Sequence, residues 1–61
     1  MKDLDSYYNH DVCVYYMSEG KINSVIGYLF GLDNYCLLLI CNYNVVRLPV
    51  VTIRGIELLQ G

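Results

Sequence analysis

The residue types that usually carry acid–base or metal chemistry are sparse in this chain of 61 residues. His10 stands next to Asp11, and this pair is the one arrangement that resembles a general acid and base. No nucleophile or second acid accompanies it at a recognisable spacing, so we do not expect an enzyme. Cys13, Cys36 and Cys41 lack the C-x-x-C spacing of metal sites. We therefore expect no metal, no cofactor and three reduced thiols in a cytoplasmic protein.

The side chains that could bind rather than react are seven tyrosines and four cations. The net charge of −2 argues against a broad phosphate-binding face, because non-specific affinity for nucleic acid depends on clustered Lys and Arg. A symmetric ring could still gather one cation from every subunit around a central pore. The four cations are Lys2, Lys21, Arg47 and Arg54.

The chain is unusually apolar for its length, with 56% hydrophobic residues. A domain this small leaves much of its surface in water when it folds alone. Association with copies of itself would cover the excess, so we expect a homo-oligomer. No signal-peptide pattern is present, and the apolar run from Cys36 to Cys41 is far shorter than the roughly twenty residues that cross a bilayer. We expect no membrane partner.

The elements that must position these side chains are β-strands, because the chain is rich in branched and aromatic residues without helical spacing. We predict one domain over residues 11–61, preceded by an N-terminal segment 1–10. The spacing of Leu4, Tyr7 and Tyr8 in that segment permits a single helical turn. The predicted strands are residues 11–17, 21–31, 35–41, 45–48 and 53–59.

Turn and strand-breaking residues divide these strands. Gly27, in the middle of the long second strand, is where we predict a bend or bulge. Asp33 and Asn34 are expected to form the corner before strand three, with Asp33 fixing the turn through backbone hydrogen bonds. Pro49 has no amide for a strand ladder, so it should end strand four before a 3₁₀ turn at residues 50–52. The prediction is an all-β fold, a small five-stranded SH3-like barrel.

One stretch follows a recognisable order of residue types. Gly27 is followed five residues later by a hydrophobic residue, an aspartate, a polar residue and an aromatic at 32–35, then by an aliphatic strand at 37–39. This order resembles the first motif of the Sm-like (LSm) superfamily, and of its Hfq-type members in particular. Residues 48–56 are similar to the link and fifth strand of small bacterial Sm-like proteins. The resemblance covers residues 16–58.

The resemblance implies a ring of six or seven subunits that binds single-stranded RNA near its pore. The fourth strand of one copy would pair with the fifth strand of the next, which would cover two exposed strand edges. Asn34 and Tyr35 fall where Hfq-type proteins have a polar residue and a base-stacking aromatic. Tyr16 falls near the aromatic that lines the opposite face of those rings.

The chain also departs from the family pattern. The Hfq-type signature Tyr-Lys-His is replaced at residues 47–49 by Arg-Leu-Pro, and Leu37 replaces the asparagine of eukaryotic and archaeal Sm motifs. Residues 53–55 match the Ile-Arg-Gly of the second Sm motif. Two arrangements remain open: Arg54 lies inside strand five, or strand four extends to Ile53 and Arg54 faces the pore as the main phosphate ligand.

Each candidate site residue also has a purely structural interpretation. Tyr35 could stack on a base, or it could be the first core residue of strand three. Arg47 and Arg54 suit phosphate and carboxylate partners alike, so either could form an ion pair between subunits. The carboxylates available for such pairs include Glu57 and Asp33.

Three hypotheses about function follow. The first is a homo-oligomeric Sm-like ring that binds single-stranded RNA through Asn34, Tyr35 and an arginine at the pore. The second is an oligomer that holds a small nucleotide in clefts between subunits, as in a small viral protein that sequesters a signal. The third is a structural or protein-binding module that takes no ligand.

Overall fold

The structure, a computed structural model, describes residues 4–59. The predicted N-terminal segment 1–10 begins before the described residues, and the predicted domain 11–61 ends after them. Lys2 lies outside the described residues. Two 3₁₀ turns, η1 and η2, accompany five strands. In chain order the elements are η1 Leu4–Ser6, β1 His10–Ser18, β2 Lys21–Asp33, β3 Cys36–Cys41, β4 Asn44–Pro49, η2 Val50–Thr52 and β5 Ile53–Leu58.

All five strands form one antiparallel sheet in the order β4-β3-β2-β1-β5. This confirms the predicted all-β class and its five strands. The two strands at the open edges are β4 and β5. The permitted helical turn is present as η1, where the amide of Tyr7 donates to the carbonyl of Leu4 at 2.9 Å.

Every strand contributes side chains to one buried cluster, so the sheet curves around a common core. The alternation of strand side chains places one face of each strand inward. The resulting domain is nearly isometric, with principal extents of 30 × 26 × 24 Å. The buried cluster consists of Val12, Val14, Leu29, Leu37, Leu39, Leu48 and Ile53.

Gly27 does not mark the irregularity of β2, so the bulge predicted there was wrong. The pairing of β1 with β2 runs through Gly27 without a shift, and the shift against β3 lies between Leu29 and Gly31. A different structural feature explains why residue 27 is glycine. A β-carbon added to it would lie 2.6 Å from the sulfur of Cys41 and 2.9 Å from the carbonyl oxygen of Ile40. The absence of a side chain lets the end of β3 approach β2 closely.

The three hairpin turns share one backbone signature: both central residues of each turn have a positive φ, as in type I′ turns. This geometry suits the right-handed twist of the flanking strands. The central pairs are Glu19 and Gly20 (52° and 75°), Asn34 and Tyr35 (55° and 64°), and Asn42 and Tyr43 (50° and 69°).

The end of β4 fixes the position of Arg54. Pro49 is the last residue of β4, opposite Cys36, rather than the first residue after it. An edge strand tolerates proline because one side of its ladder is unpaired. The hydroxyl of Thr52 donates to the carbonyl of Pro49 at 2.7 Å and closes η2. Because η2 separates β4 from Ile53, strand four does not reach Ile53, and Arg54 lies in β5.

Candidate ligand-binding corner

The turn between β2 and β3 meets the link between β4 and β5. The amide of Val50, the first residue of η2, donates to the carbonyl of Tyr35 at 2.9 Å. Asn34 and Tyr35, two of the residues predicted to bind a ligand, lie in the first of these two segments. The hydrogen bond holds them together at one end of the domain.

Tyr35 is exposed to solvent at this junction and does not pack in the core. Its φ is 64°, in the left-handed region that bulky residues rarely adopt, and 85% of the residue is exposed. It lies outside β3, which begins at Cys36, so its interpretation as the first core residue of strand three was wrong. In a type I′ turn this position usually holds glycine. Tyrosine here leaves an aromatic ring available to solvent.

Asp33 contacts Arg47. One carboxylate oxygen, Oδ2, lies 3.5 Å from Nη1 of Arg47, and the two side chains are 64% and 57% exposed, respectively. An ion pair this exposed adds little stability. It does place opposite charges beside the turn, and within residues 4–59 the carboxylate is engaged with Arg47 rather than with a turn amide. Arg47 is thus partly neutralised, whereas the neighbouring Asn34 is exposed at the turn itself.

Arg54 folds back onto η2. Its Nη1 donates to the carbonyl of Val51 at 3.0 Å and to that of Ile53 at 3.4 Å. Both acceptors are neutral carbonyl groups. Within residues 4–59 the guanidinium forms no ion pair with a carboxylate. Val51 itself is 82% exposed. The arrangement fixes a positive charge beside an exposed apolar side chain.

We call this surface the corner site and define it as Asn34, Tyr35, Val51 and Arg54. Two consecutive residues of η2 connect Tyr35 with Arg54. The amide of Val50 donates to the carbonyl of Tyr35, and the carbonyl of Val51 accepts a hydrogen bond from Arg54. An aromatic face together with a guanidinium is the combination that stacks on a base and contacts its phosphate. Arg47 lies at the margin of this surface through its ion pair with Asp33.

Tyr16 is not part of the corner site. It lies in the core-facing row of β1, opposite Asn23 and Ile53, and packs partly buried against the core cluster. A ring in that position already has packing partners. The structure therefore does not bring Tyr16 together with Tyr35.

Two strongly exposed residues, Val51 and Tyr43, were not among the site residues predicted from the sequence. Val51 looked like part of a short link, but it is one of the most exposed apolar residues. Tyr43 is fully exposed at the β3–β4 turn, with a backbone conformation matching that of Tyr35. The two turns share the dipeptide Asn-Tyr, which occurs at residues 34–35 and again at 42–43.

Tyr15 and Glu57 form a separate polar contact on the outer face of β1 and β5. The hydroxyl of Tyr15 donates to Oε1 of Glu57 at 2.9 Å. This hydrogen bond, assisted by Cys13, raises the pKa of Tyr15 to about 12. A β-carbon on Gly55 would lie 3.7 Å from the ring of Tyr15, so the tyrosine covers the glycine of the edge strand.

The thiols show no common site. Cys13 is buried and Cys36 and Cys41 are half-buried, and all three are free. Burial raises the pKa of the Cys41 thiol, which lowers its nucleophilicity at neutral pH. Residues 4–59 contain no group of three or more His, Cys, Asp or Glu side chains placed to hold a metal ion. In the same range no helix has the length and apolar character needed to cross a membrane.

The fold and the corner site define a small all-β domain with two open sheet edges and one exposed aromatic corner. No protein-family model, curated protein or solved structure matches the chain.

Proposed function

We propose that this chain is the subunit of a homo-oligomeric Sm-like ring that binds single-stranded RNA at the corner site. The observation that carries the proposal is the pair of contacts on η2. One holds the backbone of Tyr35, whose ring is exposed, and the other holds the guanidinium of Arg54. That placement supports stacking of a base on Tyr35 and a phosphate contact from Arg54.

The open edges of the sheet support assembly into a ring. Because β4 and β5 lie at opposite edges, each has one unpaired side. Exposed edges favour pairing with another chain, and β4 of one copy with β5 of the next would use both. The ring would repeat the corner site once in every subunit, each with the guanidinium of Arg54 beside η2. This repeated positive charge offsets the net charge of −2 on each chain.

A small nucleotide is the second candidate ligand. Arg47 is paired with Asp33, which leaves Arg54 as the main cation of each corner. One cation beside one aromatic ring matches a base and a single phosphate better than a long backbone does. This ligand would use the same contacts, so length dependence separates the two candidates.

Binding of fluorescent oligouridylate, oligoadenylate and a mononucleotide at low salt tests the proposal. Tyr35→Gly removes the ring while keeping a residue that suits the turn, and Tyr43→Gly is the matched control at the other Asn-Tyr turn. We expect Tyr35→Gly to weaken RNA binding roughly 5- to 150-fold, the range that corresponds to about 1–3 kcal/mol for one stacked base. Tyr43→Gly should bind RNA like the parent.

Three results would count against RNA binding. Equal affinity for the mononucleotide and the oligomers would favour the small-nucleotide candidate. Absence of binding to every probe would favour a structural or protein-binding module. Equal losses in the two tyrosine variants would show that binding does not depend on the corner site.

A further inference from the structure

The ion pair of Arg47 with Asp33 lies across three strands at the margin of the corner site. In the pairing register Asp33 of β2 lies opposite Cys36 of β3. Arg47 of β4 lies opposite Leu38, two residues further along β3. Residues opposite each other, and residues two apart on one strand, point to the same face of a sheet. The side chain of Arg47 therefore crosses β3 to meet Asp33, directly before Asn34 of the corner site.

This ion pair changes the charge of the surface more than the stability of the fold. Both side chains are exposed, and an exposed pair adds little stability. β4 is already paired with β3 along its whole length, from Asn44 to Pro49. What the pair does change is the charge available to a ligand. The guanidinium groups of Arg47 and Arg54 and the carboxylate of Asp33 together leave one net positive charge.

One net positive charge matches a ligand with one phosphate. A base stacked on Tyr35 would bring its own phosphate toward Arg54, but a nucleoside triphosphate would bring two further phosphates. The only other cation of residues 4–59, Lys21, lies at the opposite end of β2 from Asp33. The extra phosphates would thus meet the carboxylate of Asp33 and no free cation. Like charges brought together in this way raise the free energy of the wrong complex and make a site selective.

We propose, resting on the nucleotide binding proposed for the corner site, that Asp33 restricts this site to ligands with one phosphate per base. It does so by holding Arg47 in the ion pair. Nucleoside monophosphates and the phosphodiester backbone of RNA belong to this class, and nucleoside di- and triphosphates do not. Arg47 becomes a second phosphate ligand only when Asp33 is removed.

Competition against a fluorescent oligouridylate tests this role of Asp33. The competitors are uridine mono-, di- and triphosphate, and magnesium is left out because a bound cation would mask the charge of the phosphates. In the parent we expect the triphosphate to compete no better than the monophosphate. In Asp33→Asn the freed Arg47 should make the triphosphate about tenfold the better competitor, the effect of one hydrogen bond between charged groups.

Three further variants separate the ion pair from a general effect of charge. In the Arg47→Gln background, adding Asp33→Asn should change the preference for triphosphate by less than about twofold, the usual limit for independent sites. Glu19→Gln is the matched control, because it removes the same charge at the turn before β2, at the far end of that strand from Asp33. It should keep the preference of the parent. Asp33→Asn should melt close to the parent's temperature, since the ion pair is exposed.

The proposal is overturned if Asp33→Asn keeps the preference of the parent, or if it raises the preference equally with and without Arg47. An equal rise in Glu19→Gln would also overturn it, because the effect would then come from the net charge of the chain. In each of these cases the parent still binds the oligouridylate, so the proposed function stands. If the parent binds neither the oligouridylate nor any nucleotide, the proposed function fails and the role of Asp33 fails with it.

Discussion

A β-carbon on Gly27 would lie 2.6 Å from the sulfur of Cys41, closer than real β-carbons approach a neighbour. This relationship couples the middle of β2 to the last residue of β3. It explains why the long second strand contains glycine at a position where its pairing with β1 is regular. The contact makes Gly27 a sensitive position in the fold.

Gly27→Ala should therefore destabilise the protein by about 1–3 kcal/mol, the usual range for overpacking. Urea denaturation followed by circular dichroism measures the change. Gly31→Ala is the control, because its β-carbon would meet Leu38 at an ordinary 3.6 Å. Adding Cys41→Ala to Gly27→Ala should restore part of the loss, since the carbonyl of Ile40 remains at 2.9 Å. Equal stability of Gly27→Ala and the parent would contradict the contact.

Strain at the turns gives a second prediction. Gly20 has φ 75° and open space around it, so Gly20→Ala should cost about 1 kcal/mol through the backbone alone. Tyr35→Gly and Tyr43→Gly make the opposite change, and their melting temperatures should equal or exceed that of the parent. Differential scanning calorimetry compares the three variants. A lower melting temperature for both tyrosine variants would show that these rings stabilise the fold.

The hydrogen bond from Tyr15 to Glu57 predicts a pH dependence. The folded-state pKa of Tyr15 is raised from 10.0 to about 12, so the native state holds this proton more tightly than the unfolded state. The stability from this bond is complete below pH 10 and is lost as the pH rises toward 12. Urea midpoints across this range should fall more steeply for the parent than for Tyr15→Phe. Parallel curves would contradict the assignment.

The proposed phosphate contact of Arg54 predicts that replacing this residue changes how RNA affinity depends on salt concentration. For single strands the logarithm of affinity falls with the logarithm of salt concentration by about 0.7 per neutralised phosphate. Arg54→Gln should reduce that slope by about 0.7 for every phosphate contact removed. Arg47→Gln is the comparison variant, and its effect should be smaller because Arg47 is paired with Asp33. A larger effect at Arg47 would reassign the phosphate contact.

The strands could be predicted because their composition and breaking residues are local signals. Pro49 and Gly20, for example, mark the ends of strands on covalent grounds alone. The position of Tyr35 could not be predicted in the same way. Tyrosine favours strands, and an Asn-Tyr pair lacks the glycine that identifies a type I′ turn. The sequence therefore assigned Tyr35 to strand three, one residue too early.

Contacts between residues far apart in the chain were harder to predict from the sequence. The role of Gly27 depends on Cys41, which no spacing rule connects to it. The 3₁₀ turn predicted at residues 50–52 is confirmed as η2, and it places Arg54 in β5, the first of the two alternatives. The sequence suggested an ion pair of Arg47 with Asp33 between two subunits, whereas the structure forms this pair within one.

Native mass spectrometry before and after nuclease treatment tests the central claim most directly. The protein would be purified without a nuclease step, as the parent and as Tyr35→Gly. We predict a closed ring that carries heterogeneous, nuclease-sensitive mass in the parent, and the same ring without that mass in Tyr35→Gly. A monomer, or a parent ring with no nucleic acid before treatment, would contradict the account.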